Sequence, residues 1–396
     1  MVIFYIFAKI FIMNVHRYIY DEIMESLEHF PITAIIGARQ VGKTTLAKQV
    51  MKHFENALYI DLEKPSDRTM LSDAEQFFKF NNGKLICLDE IQLLPEIYPL
   101  LRSLIDDEQF DIKFLITGSA SPDLLQKSSE SLAGRIAYYQ LPVFLLNEIG
   151  NNYNLENYWF RGGFPLSLLS PTNKQSIKWL DNFILTFLER DLKNFGFSIP
   201  SETINRLWKM LAHVNGQILN YSLLSNSMGY SDTTIKKYID ILTNTYMLRI
   251  IKPYYLNTKK RLIKSPKLYF RDTGILHRLL NIRDFNELFQ HPAYGNSWET
   301  LCIENIINTF NHAEPFYYRT SGGNEIDLVL TAGGKNIAIE FKTSSSPTVT
   351  KGFWQALDDL KSEKAFIIAP VKAPYPYKNN VWVYPIQEFL QIKNLI

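Results

Sequence analysis

The sequence predicts an α/β protein of more than one domain: a phosphate-loop domain, a helical middle with winged-helix character, and a carboxyl-terminal α/β domain. Three observations predict it. The chain has 396 residues, and at roughly 150 residues per domain that makes two or three units. Short apolar runs alternate with helical runs between residues 32 and 148, the pattern of a mostly parallel sheet with flanking helices. Between the first such strand and helix lies Gly37-x4-Gly42-Lys43-Thr44, a phosphate-binding loop in its required strand–loop–helix setting.

Composition narrows the class. Hydrophobic residues make up 46%, and 18 Gly with 18 Pro exclude a collagenous or low-complexity chain. Lys and Arg number 42 against 40 Asp and Glu, so overall charge names no partner. The two cysteines, Cys87 and Cys302, are far apart in apolar surroundings, which argues against a disulfide framework and for a reducing, cytoplasmic setting. The seven histidines include no HxH or HExxH spacing. Residues 1–15 are apolar, but Lys9 interrupts them and no basic n-region precedes them. They are read as an added segment or an extra strand, with Met13 as the start, and no membrane partner is expected.

In the first domain the loop residues Gly37, Ala38, Arg39, Gln40, Val41, Gly42, Lys43, Thr44 and Thr45 are expected to wrap a nucleotide, ATP. Glycines let amides converge on phosphates, and the following helix presents its positive end. Lys43 is expected to reach the β- and γ-phosphates and the Thr44 hydroxyl to ligate Mg²⁺. The run Leu85–Leu88 ends in Asp89 and Glu90. Asp89 is assigned to Mg²⁺ through water and Glu90 to polarising the attacking water. A third strand, Ile112–Ile116, closes in Thr117-Gly118-Ser119; Thr117 or Ser119 is the candidate sensor of the γ-phosphate. Arg135 has two readings, a finger acting on phosphate across a subunit boundary or a surface ion pair.

The middle opens on Asn-, Gly- and Pro-rich residues 151–170, with an opaque turn Arg161-Gly-Gly-Phe-Pro165. Glu189-Arg190-Asp191-Leu192 is read as docking the first domain or as a solvated face. A helix over Ser222–Ser227, a turn at Gly229, a helix after Ser231 and strands Met247–Tyr255 and Leu262–Phe270 suggest a winged helix. Lys236, Lys237 and the basic stretch 259–267 suit phosphate backbones. DNA contact, protein docking and a solvated face all remain open readings there.

In the last domain, strands Glu325–Leu330 and Ile337–Lys342 read as a hairpin around Gly333-Gly334. Alternation puts Glu340 and Lys342 on one face. Asp327 and Glu340, with Glu299 from a preceding helix, are candidate ligands for one Mg²⁺ or Mn²⁺, and Lys342 is the candidate group that positions water against a phosphodiester. Glu325 is a substitute ligand and Gln355 an orienting residue. The tail reads as strands Lys364–Ile368 and Val381–Val383 and a helix over 386–396.

This ordered set resembles a prokaryotic ATPase family of the AAA+ superfamily whose carboxyl domain has the PD-(D/E)xK nuclease-like fold. The resemblance rests on Ile36–Thr45, Leu88-Asp-Glu90, Thr117-Gly-Ser119, Ser131-Leu-Ala-Gly-Arg135, Glu189-Arg-Asp-Leu192, Asp272-Thr-Gly274, and Gly-x-Glu-Ile-Asp with Glu-x-Lys. It implies an ATPase domain over 14–150, a helical and winged-helix-like domain over 151–270, and a restriction-endonuclease-like domain over 271–396. It implies ATP hydrolysis coupled to DNA binding or metal-dependent phosphodiester cleavage. The alternative is a regulatory ATPase whose last domain only binds nucleic acid or protein. The chain has no second sensor arginine in a helical lid by sequence pattern, and a homo-oligomer is a candidate assembly.

Overall fold

The computed structural model describes residues 15–121, 132–150, 153–255, 262–362, 364–393 and 395–396. The reading of residues 1–14 therefore lies outside the described residues, as do Ser131 and the 259–261 part of the basic stretch.

The first sheet has five parallel strands in the order β2-β3-β4-β1-β5: β1 (Ile32–Ile36), β2 (Ala57–Asp61), β3 (Leu85–Asp89), β4 (Lys113–Gly118) and β5 (Ile136–Gln140). Every residue of β1 and β3 is buried. Strands covered on both faces read as unbroken apolar runs, and each fully buried Ile or Leu contributes about 1.5–3 kcal/mol. Helices α1 (Tyr20–His29) and α2 (Lys43–Met51) flank the sheet. Because the strands are parallel, the loops after β1, β3 and β4 share one edge, where open α/β sheets bind ligands.

The middle is helical. It contains α3 (Asn173–Thr186), a π-helical turn (Phe187–Asp191), α4 (Ser201–His213), α5 (Tyr221–Met228) and α6 (Asp232–Asn244). Asn220 caps α5 and Ser231 caps α6, accepting from Leu223 and Thr234 amides at 3.0 and 3.2 Å. Gly229, at φ 75°, makes the left-handed turn between the two helices. Strands β6 (Leu248–Pro253) and β7 (Lys267–Phe270) pair antiparallel after them. Two features differ from a free wing. The second arm is shorter than Leu262–Phe270, since Leu262 makes a bridge to Thr320 instead. Lys252 and Pro253 also pair parallel with Phe316 and Tyr317, so the sheet runs across residue 270.

The second sheet has eight strands in the order β12-β13-β11-β10-β9-β8-β6-β7. Its remaining members are β8 (Glu314–Arg319), β9 (Glu325–Ala332), β10 (Lys335–Phe341), β11 (Lys364–Ile368), β12 (Tyr375–Lys378) and β13 (Val381–Tyr384). The β9–β10 hairpin sets Ile339 against Leu328 and turns at Gly333 and Gly334, whose φ values of 55° and 80° a two-residue hairpin needs. Helices α7 (Thr273–Leu279), α8 (Tyr294–Thr309) and α9 (Lys351–Leu360) accompany it. The final helix covers only Ile386–Phe389.

The opaque Arg161-Gly-Gly turn has a structural explanation. Buried Asp272 caps α7 through the Ile275 amide at 2.8 Å and also accepts from the Gly163 amide at 2.8 Å. A Cβ on Gly162 would lie 2.3 Å from the Asp272 carboxylate, and one on Gly274 would lie 2.2 Å from the Arg161 carbonyl. Arg161-Gly-Gly and Asp272-Thr-Gly are thus two halves of one joint. Burial pushes the Asp272 carboxyl up to about 6, against the pull of those amides. Beside it, buried His277 meets the Phe160 carbonyl at 3.1 Å and Ser297 Oγ at 2.6 Å, and Trp159 donates to the same Ser297 at 2.7 Å. Burial pulls His277 down to about 4, so it is neutral.

Candidate functional site

The phosphate-binding loop is held rigidly from below. A Cβ on Gly37 would lie 2.3 Å from the Leu141 carbonyl, at a φ of 154° that L side chains rarely adopt. Gly42, at φ 102°, starts α2, and Gln40 is left-handed at φ 63°. Buried Arg17 clamps the loop from outside the motif. Its guanidinium donates to the Val41 carbonyl at 2.8 Å and the Pro142 carbonyl at 2.6 Å, and pairs with buried Glu148 at 3.0 Å. Lys43 is buried, its ammonium donating to the Gly37 and Ala38 carbonyls at 3.1 and 2.9 Å and to Ser119 Oγ at 2.9 Å. Burial lowers its pKa, with Glu90 and Asp89 opposing.

The acids meet the loop from β3. Asp89 is buried and accepts from three hydroxyls: Thr44 at 2.8 Å, Thr117, and Tyr59. Hydroxyl and carboxylate oxygens are the donors a hard cation such as Mg²⁺ takes, and Thr44 with Asp89 fits one. Glu90 follows in a left-handed turn at φ 59°, its amide donating to Thr117 Oγ1 at 3.0 Å. Ser119 Oγ donates to the Glu90 carboxylate at 3.0 Å and receives Lys43, so it joins the lysine to the acid. The Gln92 amide also holds Glu90. Thr117 and Ser119 therefore both engage the acids, one at Asp89 and one at Glu90. Sequence reasoning missed Tyr59 and Gln92. The signal for Tyr59 was register: β2 pairs with β3, and a long aromatic side chain reaches a diagonal neighbour.

A cavity of about 620 Å³ opens above the loop. One wall is Arg39, Gln40, Gly42–Thr45 and Glu90; the other, from the helical middle, includes Leu166, Trp179, Thr186 and Arg190. Arg39 bridges the walls through ion pairs to buried Asp191 and, at 2.6 Å, to Glu63. The π-helical turn widens the helix where Asp191 and Arg190 leave it, as such turns do at functional sites. Asp191 thus docks the first domain. Arg190, from the same segment, and Trp179, which was unassigned from sequence, also line this cavity.

Arg135 does not enter this site. It precedes β5, whose register with β1 (Ile32 opposite Ile136) places it at the edge of the sheet remote from the loop. There it pairs with Asp106 at 2.6 Å. Parallel pairing alone enforces this, since the loop follows the other end of β1.

The carboxyl-terminal candidates do come together, but around a lysine. The Lys267 ammonium lies 2.9 Å from Glu325, 3.5 Å from Glu299 and 3.7 Å from Asp327. Its side chain is only 4% exposed, which removes it from the basic stretch expected to face phosphate. Tyr269 donates to Glu299, and the Phe341 amide donates to Asp327 at 3.0 Å. Lys342 pairs with Glu340 at 2.7 Å, and the other Glu340 oxygen is buried without a partner. Burial pushes Glu340 well up and Glu299 up to about 7, while the surrounding acids hold Lys267 well above its usual value against its own burial. Among the described residues no three acidic, histidine or cysteine side chains converge as metal ligands. Glu299 and Asp327 are committed to Lys267 and one Glu340 oxygen to Lys342, and the one free Glu340 oxygen cannot supply the roughly six oxygens of a Mg²⁺ shell. As arranged, Glu299, Asp327 and Glu340 do not fit a resident divalent ion. Gln355 is exposed on α9.

Three family matches cover the chain: an AAA domain over residues 29–150, and domains of unknown function over 152–286 (DUF8612) and 294–389 (DUF4143). An uncharacterized protein of Mycobacterium tuberculosis, Rv2008c, is 37% identical over 365 residues, covering 92% of this chain and 82% of that one. An uncharacterized protein of Haemophilus influenzae is 23% identical, covering 70% of this chain and 74% of its own length. Among solved structures, the Walker-type ATPase PABY2304 of Pyrococcus abyssi is 13% identical, covers 66% of this chain and 94% of its own, and has a TM-score of 0.44. Among the described residues no helix is long and apolar enough to cross a membrane. The chain belongs to the same family as the Mycobacterium tuberculosis protein, and its amino-terminal domain is an ATP-binding P-loop ATPase domain of the AAA type.

Proposed function

We propose that the protein hydrolyses ATP with Mg²⁺ and uses the nucleotide state to set the position of its helical middle. One observation carries this reading: Lys43, Thr44, Asp89, Glu90, Thr117 and Ser119 form a single hydrogen-bonded set at the ligand edge of the parallel sheet. In it, loop amides and Lys43 bind the phosphates, and Thr44 and Asp89 hold the cation, which neutralises phosphate charge. Glu90, oriented by Ser119 and Gln92, takes the proton of the attacking water. A triphosphate in this cavity brings negative charge to Arg39, which Asp191 and Glu63 now neutralise, and to Arg190 on the facing wall. The middle domain is therefore pulled onto the loop by ATP and released after hydrolysis.

The finer reading is that this motion acts on DNA through α5 and α6, a helix–turn–helix with Lys236 and Lys237 exposed. Arg135 can serve as a finger only on a neighbouring copy. Within the last domain, Lys267 among the carboxylates favours a binding or regulatory role over cutting. Phosphate release from ATP by the full chain, with and without duplex and single-stranded DNA, tests both levels. Mg²⁺-dependent turnover that Asp89→Asn weakens supports the core reading. DNA binding that weakens with salt and on Lys236→Ala/Lys237→Ala supports the finer one.

A further inference from the structure

We infer that Lys267 is the built-in cation of the carboxyl-terminal carboxylate cluster, its ammonium standing where a divalent metal ion would otherwise be held. The inference is independent of the nucleotide reading, because it concerns the other sheet.

The first support is placement. Lys267 reaches three carboxylates, on α8 (Glu299) and β9 (Glu325 and Asp327), within 4 Å. An ammonium is a compact point charge with three donors, well suited to bridging separate acids. The ammonium also lies over the Tyr317 ring, with Nζ 5.5 Å from the centroid.

The second support is fixity. Lys267 is anchored on both sides of its backbone, opposite Ile251 of β6 and bridged to Ile218. Its neighbours are tied as well: the Leu219 amide donates to Pro266 at 2.8 Å, and the Leu268 amide to Gln217 at 3.1 Å. The lysine is thus delivered by the chain leaving the helical middle and is not a surface group that swings in.

The third support is charge. Glu299, Glu325, Asp327 and Glu340 face Lys267 and Lys342, and Arg319 takes Glu325 at 3.1 Å. Three cations thus stand against four carboxylates, so the cluster carries little net charge to draw in a divalent ion. It resembles a metal site in residue types and spacing, and its own lysine closes it.

The test is Mn²⁺ binding to the nucleotide-free full chain, read as free Mn²⁺ by electron paramagnetic resonance and as a shift in melting temperature. An Asp89→Asn background removes the amino-terminal acid from the measurement. With Lys267 present, no Asp327-dependent Mn²⁺ site is expected at millimolar metal. Lys267→Met should gain one, at least about tenfold tighter, and Asp327→Asn should abolish it again; Lys267→Arg, which keeps the charge, should gain none. An Asp327-dependent site already present with Lys267 intact overturns the inference, as does a folded Lys267→Met protein that gains no site. If Lys267→Met folds only when Mn²⁺ is present, that dependence supports it. If it folds in neither condition, Lys267→Gln, which keeps a polar tip, takes its place: a gained Asp327-dependent site supports the inference and the lack of one overturns it.

Discussion

The two sites of this molecule use the same residue types in opposite ways. At the phosphate loop, Lys43 is held by backbone carbonyls and one hydroxyl, while Asp89 is held by three hydroxyls and Glu90 by a hydroxyl and an amide. Among the described residues no acid pairs with that lysine directly, and uncharged donors hold both acids. A phosphate or a cation entering there meets charge that is still available. In the second sheet the lysine and the acids neutralise one another at 2.9–3.7 Å. Lysine, aspartate and glutamate at the ends of buried strands therefore do not define a working site. What matters is whether their charges are left for a ligand or spent on each other.

The comparison breaks most sharply at Lys43. Lys43→Ala should lower ATP turnover by at least ~100-fold, the scale of losing a donor aimed at developing charge, while leaving melting temperature close to wild type. Phosphate-release kinetics and a thermal melt check this. Little loss would mean that the available-charge site is not the working one.

The joint between the two regions supplies the next test. His277 is neutral because burial takes it from 6.5 to about 4. Between those values the unfolded chain binds a proton that the folded chain refuses. Stability is therefore full above about pH 6.5 and is lost as pH falls toward 4, by about 3 kcal/mol. His277→Gln cannot titrate, so denaturant melts should show its deficit against wild type narrowing by that amount from pH 7 to pH 4. A constant deficit would mean that the histidine is not buried neutral.

A smaller effect is expected at the glycine lock. Gly274→Ala would drive a Cβ to 2.2 Å from the Arg161 carbonyl, costing about 1–3 kcal/mol in displaced backbone. Gly295→Ala, where nothing lies within 4 Å, is the control and should not lose stability.

The smallest effect sharpens the nucleotide side. Asp191→Asn frees Arg39 from its pair with a buried carboxylate, and a two- to fivefold change in apparent ATP affinity is expected, about 1 kcal/mol or less. Titration with a fluorescent ATP analogue measures it. An unchanged affinity would mean that the Arg39–Asp191 bridge is indifferent to nucleotide.

The sequence made the first sheet legible because strands buried on both faces are apolar without interruption, as in Ile32–Ile36 and Leu85–Leu88. The loop was legible because its glycines and lysine are fixed in spacing. Long-range pairing hid the rest. Arg39 reads as a local residue of the loop because Asp191 is 152 positions away. Lys267 sits in a run of lysines and arginines that looks solvated, and only tertiary packing buries it. Arg135 lies beside a strand, but strand direction decides which end of the sheet it reaches. The Arg161-Gly-Gly turn is opaque until Asp272, 109 residues on from Gly163, is seen to fill it.

The most direct test of the available-charge site separates binding from turnover at Glu90. Glu90→Gln keeps the shape and the contacts with Ser119 and Gln92 but cannot take a proton. ATP affinity should stay within a few-fold of wild type while Mg²⁺-dependent hydrolysis falls by about 10²–10⁴. Equal hydrolysis in the two proteins, or loss of binding together with hydrolysis, would contradict the account.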